Sequence, residues 1–247
     1  MEILVVDGGS EDDTLHILSE LQKEYTFIKV FHNQAKVTPN GLNMGIKRAK
    51  GDFILILGGH ATVSDNYIEV LVENLDRDPT AACAGGVCIS VSSQENLFQQ
   101  LNGAVGESRF GVGSSYFRTG CVNKRYVDTV AYGMYRREVF DEVGLFDERL
   151  VRNQDIELSH RIRRCGHDII LDPKTEAYYY PRPNLRYLCK QSFSNGYWNI
   201  ITWRLVPGAL SMRHFVPLVA VICGISLSVL SSMFANAKVV LACLTAL

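Results

Sequence analysis

The sequence predicts an α/β domain with a largely parallel sheet, followed by a C-terminal membrane span. Three observations lead there. Short apolar strands alternate with helix-period segments along residues 1–180. Two of those strands end in turns that suit a ligand, Asp7-Gly8-Gly9 and Gly58-Gly59-His60. Finally, Phe215–Phe234 is a run of twenty residues without a charge.

The elements follow in order. "ILVVD", Ile3 to Asp7, is a buried strand meeting a loop. Ser10 is placed to cap a helix whose stripe includes Leu15, Ile17, Leu18 and Leu21. "FIKVF" is a second strand, Asn40 to Ala49 a second helix, and "GDFILIL" a third strand. Ser64 is placed to cap a helix running through Leu75, and "AACAGGVCISV" is a fourth strand. A helix then precedes the glycine-rich connection "GVGSSYFRTG". "TVAYGMY" is strand-like, Arg136 to Val143 a short helix, and "HDIILDP" a last strand. No GxGxxG follows a strand and no GxxxxGK[ST] occurs, which argues against dinucleotide and P-loop chemistry.

Between the last helix and strand lies "VRNQDIELSHRIRRCG". Leu158, Ile162 and Cys165 form a core-facing stripe, and Gly166 suits the position past a helix end. Asp155 and Glu157 fall in the first turn, where acids complement the helix dipole. That alone makes them structural residues; chemistry is a second reading.

At Phe215–Phe234, twenty residues at about 1.5 Å each span about 30 Å, the thickness of a bilayer core. A second apolar run, "VVLACLTAL", begins after Lys238. All 26 acids lie at or before Glu176, whereas Arg182, Arg186, Lys190, Arg204, Arg213 and Lys238 lie beyond it. An acidic body thus joins a basic neck. The positive-inside rule puts the body in the cytoplasm and the chain in the inner or plasma membrane. A net charge of −1 exerts no pull on nucleic acid. The 7 cysteines form no CxxC pair, which excludes a zinc framework and favours buried thiols in a reducing compartment.

"VVDGGSEDDT", "NGLNMGIKRAKGDFILIL", "FGVGSSYFRTG", "VDTVAYGMYRREVFDEVGLFDERLVRNQDIELSHRIRRCG" and "YPRPNLRYLCKQSFSNGYW" occur in that order, and "SMRHFVP" then leads into the apolar run. Together they resemble the family-2 glycosyltransferases, within them the succinoglycan-type exopolysaccharide branch. The resemblance implies a GT-A (Rossmann-like) fold, a nucleotide-diphospho-sugar donor and inverting transfer to a polyprenyl-diphosphate-linked glycan. It implies that Asp155 is the general base. Asp7 matches the nucleobase contact, with Lys36, Asn43 and Gly59 on the donor side. Gln191, Trp198 and Arg161 match the acceptor side, although Trp and Tyr beside basic residues also suit an interfacial belt.

The chain departs from the family pattern twice. The family has a strand before "VVDGGS", so the fold is expected to lack its first strand and to be less stable for it. The family has an acid where this chain has Gly58, so a divalent cation, manganese or magnesium, is left with His60 as its protein ligand. These departures keep open a second reading, a non-catalytic relative that binds a nucleotide sugar or a partner transferase. The expected organisation is a transferase domain over 1–180, a basic amphipathic neck over 181–214 and membrane segments over 215–247.

Overall fold

The computed structural model describes residues 1–91, 100, 103, 115–180 and 184–245. It divides into two units, residues 1–210 and 211–247.

The first unit opens with β1 (Ile3–Asp7), α1 (Thr14–Glu24), β2 (Ile28–His32) and α2 (Thr38–Arg48). β1 and β2 pair in parallel as a two-stranded sheet of their own, with Asp7 opposite His32. Next come β3 (Phe53–Leu55), β4 (Ala61–Val63), α3 (Tyr67–Arg77) and β5 (Ala81–Ser90). After 92–114, where the helix before the glycine-rich connection was expected and which apart from 100 and 103 lies outside the described residues, α4 (Tyr116–Thr119) and β6 (Arg125–Tyr126) follow. β7 (Met134–Arg136), α5 (Val139–Val143), α6 (Gln154–Arg164), β8 (Asp168–Tyr179) and α7 (Leu185–Leu205) complete the unit.

The main sheet has the order β3-β7-β5-β8-β4, and β6 also pairs with β8. It is mixed, not largely parallel: among the described residues only β5 and β8 of this sheet run together, while β3–β7, β5–β7, β4–β8 and β6–β8 are antiparallel. The reversal comes from β7, which inserts between β3 and β5. Among the described residues, β1 pairs with β2 alone and β3 with β7 alone.

Period-2 alternation sets the two faces of this sheet. Ile169 and Leu171 of β8 pack with Phe140, Phe146, Leu158 and Ile162, whereas Ile170 between them packs with Tyr67, Leu71 and Leu75 of α3. Leu158 and Ile162 are fully buried, worth about 1.5–3 kcal/mol each. Cys165, the third expected stripe residue, is exposed past the end of α6, where Gly166 takes φ 89. Cys83 and Cys88 are buried as expected, but Cys189 and Cys223 are exposed. Gly86 lets β5 approach its neighbours: a Cβ there would sit 2.5 Å from the Thr175 carbonyl oxygen. Ser64 does not cap α3. Asn66 holds that position, and the Ser64 hydroxyl donates to the Asn66 amide oxygen at 2.8 Å.

The second unit is a short 3-10 turn, Met212–Phe215, running into α8 (Val216–Thr245). Met212–Ser231 has a mean hydropathy of 2.0 and none of it is buried, so its length and composition suit a membrane span. The helix does not break before Lys238. The second apolar run continues the first, since no Gly or Pro follows Gly224.

Candidate active site

The first turn of α6 sends its two carboxylates to different places. Asp155 is exposed. Glu157 is buried, and its carboxylate meets the Arg161 guanidinium at 2.7 Å, one turn along the helix. Asp155 sits at the positive end of the helix dipole. Tyr135 lies within its field: burial pushes that hydroxyl well above its ordinary range, and the nearby Cys83 and Asp155 add to the shift.

Asn153 precedes the helix in the left-handed conformation, φ 62, which Asn tolerates better than most residues. Its side chain makes no capping bond to the helix. Instead its Nδ2 donates to Asn199 Oδ1 at 2.9 Å and Thr202 Oγ1 at 3.1 Å, both on α7. Arg152 Nη1 donates to Asn195 Oδ1 at 2.8 Å on the same helix. Gln191 and Trp198 also lie on α7, each half-buried. The start of α6 is therefore tied to the element that carries the residues expected on the acceptor side.

Arg161 has a structural task. Its Nε and one Nη2 hydrogen meet Glu157, the other Nη2 hydrogen reaches the Leu145 carbonyl, and Nη1 donates to the Val143 and Gly144 carbonyls. These bonds use all five guanidinium donors, so none remains for the acceptor sugar expected from the sequence. Asn43 is similarly committed. Its Nδ2 donates to the Phe146 carbonyl and to Glu148, and its Oδ1 accepts from Phe146 N–H at 2.9 Å. Asn43 is buried and fastens α2 to the segment that leads into α6; it does not reach outward to a donor.

The donor-side residues gather at strand ends. Asp7 is buried at the end of β1; Gly9 N–H donates to it at 2.8 Å, and Ser10 donates both N–H and hydroxyl. The Ser10 hydroxyl, then the two backbone N–H groups, hold its carboxyl below the usual range. Lys36, at φ 55, folds over this turn: a Cβ on Gly9 would lie 2.9 Å from its Cε and 3.0 Å from Nζ. Asp7, Gly9 and Lys36 thus form one cluster.

His60 belongs to a second cluster, with Gly58 and Gly59 beside it in the turn between β3 and β4. Its ring is exposed and meets Tyr179 edge-on at 5.8 Å. The Arg118 guanidinium stacks on the same Tyr179 ring at 5.6 Å. The sequence reading missed Arg118, as it missed Arg152 and Asn153; the one signal was an arginine inside a glycine- and serine-rich connection.

Among the described residues, no three His, Cys, Asp or Glu side chains converge in a metal-binding group. A hard divalent ion needs several oxygen ligands, and one exposed imidazole does not supply them. These residues do not fit a cation held by the protein alone.

The glycosyl transferase family 2 model matches residues 1–144. A Methanococcus voltae protein, a dolichyl N-acetyl-α-D-glucosaminyl phosphate 3-β-D-2,3-diacetamido-2,3-dideoxy-β-D-glucuronosyltransferase, is 31% identical over 85% of this chain and 70% of its own length. The succinoglycan biosynthesis protein ExoA of Rhizobium meliloti is 30% identical over 87% of this chain and 65% of its own. A Staphylococcus aureus poly-β-1,6-N-acetyl-D-glucosamine synthase is 22% identical over 70% of this chain and 41% of its own length. The crystal structure of GalNAc-T7 with UDP, GalNAc and Mn2+ superposes with a TM-score of 0.57 at 19% identity, over 73% of this chain and 38% of that one. This last likeness bears on the fold, which is of the GT-A kind.

Proposed function

This chain belongs to glycosyl transferase family 2, and from that premise we infer that it transfers a sugar, with inversion, from a nucleotide-diphospho-sugar of the UDP type to a lipid-linked glycan or polysaccharide. The observation that carries this reading is Asp155, an exposed carboxylate in the first turn of an anchored helix. The acceptor oxygen attacks the anomeric carbon from the face opposite the nucleotide. A new C–O bond forms, the bond to the diphosphate breaks, and Asp155 takes the hydroxyl proton. An ordinary Asp pKa is about 4, far below that of a sugar hydroxyl, so the proton moves only as attack develops. Position therefore matters more than basicity.

The departing diphosphate needs positive charge. Lys36 over the Asp7 turn and Arg118 on the Tyr179 ring that His60 also meets are this chain's own cations for it. Asp7 holds the turn at which the nucleobase docks, and Gly59 leaves the strand end open to the donor. Gln191 and Trp198 face the acceptor. With Arg204, Arg213 and His214 just before the charge-free run Phe215–Phe234, the body is cytoplasmic and anchored in the inner or plasma membrane.

Gly58 favours one competing reading, donor binding without turnover. Membranes containing the chain, given a panel of labelled nucleotide sugars and a polyprenyl-diphosphate-linked glycan, distinguish the two. Label in the lipid fraction supports transfer. Donor binding with no transfer for any sugar supports the binder.

A further inference from the structure

Helix α7 is attached to the body lightly. Among its described residues only Thr202 is buried. Its side-chain bonds to the start of α6 run to Arg152 and Asn153. The Thr202 hydroxyl donates to the Trp198 carbonyl at 2.7 Å and accepts from Asn153 Nδ2 at 3.1 Å, so it is oriented from both sides. Asn199 Oδ1 accepts the other Nδ2 hydrogen at 2.9 Å. Two turns along α6, His160 lies on the same side as Asn153 and meets the turn that follows α7. A Cβ on Gly208 there would come 3.5 Å from the His160 Cε1.

Asn153 serves two elements at once. Its backbone, at φ 62 and ψ 13, turns the incoming chain into α6, and its carbonyl accepts the Glu157 N–H at 2.9 Å. Asp155 follows in the same turn, so the conformation of Asn153 sets the direction of that carboxylate. The usual task of an Asn in this place is to accept from the free N–H groups of its own helix. Asn153 makes no such bond. Its amide is spent on α7 instead, the helix that also carries Gln191 and Trp198. A left-handed backbone persists only where its surroundings hold it, and here part of that hold comes from another helix.

We propose that Asn153 is a positioning residue: through Thr202 and Asn199 it transmits the seating of α7 to Asp155, so that the base is aligned only while the acceptor-side helix is in place. The proposal rests on the transferase reading. It makes acceptor engagement and alignment of the base one event and leaves donor binding at the Asp7 turn independent of it.

Asn153→Gly tests this, because glycine adopts the left-handed backbone readily and removes only the side chain. The full chain is reconstituted into vesicles with a polyprenyl-diphosphate-linked glycan and the labelled nucleotide sugar that wild type uses best. In Asn153→Gly, kcat is expected to fall by about tenfold or more, the scale on which misplacement acts, with KM for the nucleotide sugar unchanged. Thr202 separates positioning from stability. Thr202→Ser keeps the hydroxyl and loses a buried methyl; Thr202→Val keeps the shape and loses the hydroxyl. Ser should turn over within about twofold of wild type in spite of the lost methyl, and Val should be about fivefold slower or worse. Should Asn153→Gly not fold, the Thr202 pair reads the same tie. Wild-type kcat in Asn153→Gly, or equal rates for Ser and Val, overturns the proposal and leaves the transferase reading standing. Absence of transfer by wild type overturns both.

Discussion

The start of α6 and the turn at Gly58-Gly59-His60 both belong to the proposed reaction, yet they are built in opposite ways. The first is held from several sides: Arg161 spends five donors there, Asn43 fastens the incoming segment, and Asn153 is bound to α7. The second is open, with two glycines and an exposed imidazole against one tyrosine. A general base must be positioned to within tenths of an ångström, so its surroundings are rigid. The donor end awaits a ligand that brings its own charge and oxygen atoms. The difference indicates where this chain invests its order.

Removing the Arg161 clamp should have the largest effect on stability. Arg161→Met leaves the buried Glu157 charge uncompensated, a loss of about 3–5 kcal/mol. Thermal unfolding in detergent reads it, and Glu157→Gln in the same chain should recover part of the loss. An unchanged melting temperature would mean that the α6 start is not clamped by this pair.

Asn43→Ala comes next. It strands the N–H and carbonyl of Phe146 in a buried place and should cost about 2 kcal/mol. Transfer should fall with it, since the loosened segment leads to Asp155. Denaturant unfolding beside the transfer assay checks both; a stability loss with full activity would separate this segment from the site.

The Asp7 turn sharpens the comparison by pH. Its carboxyl is depressed in the fold, so it stabilises above its unfolded pKa of about 3.9 and ceases to as pH falls through the lower folded value. Ser10→Ala removes the largest cause of that depression, worth about 1 kcal/mol. Acid unfolding followed by circular dichroism should then begin at a higher pH than in wild type. Coincident curves would show that the hydroxyl does not hold the carboxylate.

Gly58→Asp should act least on the fold and only on the open turn. Its Cβ would come 3.1 Å from the His60 ring, which must shift by a few tenths of an ångström. The new carboxylate should tighten manganese binding measured by calorimetry in the presence of donor, and His60→Ala should weaken it. Identical titrations for wild type and both variants would remove His60 as a ligand.

Part of this contrast was legible in the sequence. Asp155, Asp7 and His60 stand out because their chemistry and their places at element ends are local. The apolar runs of β1, β3 and β5 were equally plain as strands, but of the three only β5 is mostly buried; β1, read as a buried strand, has Ile3 exposed and Leu4 to Val6 half-buried, and β3 is half-buried throughout. The sheet's direction was not. β7 inserts antiparallel between β3 and β5 in a sheet expected to be largely parallel, and β4 is a three-residue edge strand with no period to detect. The roles of Asn43 and Arg161 were also hidden. Each binds backbone carbonyls, and a carbonyl carries no side-chain signature. Arg118 was missed because its partner Tyr179 lies far along the chain.

The most direct test is transfer by Asp155→Asn in the reconstituted full chain, with the wild-type melting temperature and donor affinity measured alongside. Asn fits the exposed first-turn position but cannot take a proton. The expected result is a loss of at least about a hundredfold in rate with folding and donor binding nearly unchanged. Wild-type turnover in the variant would contradict the assignment of Asp155 as the base.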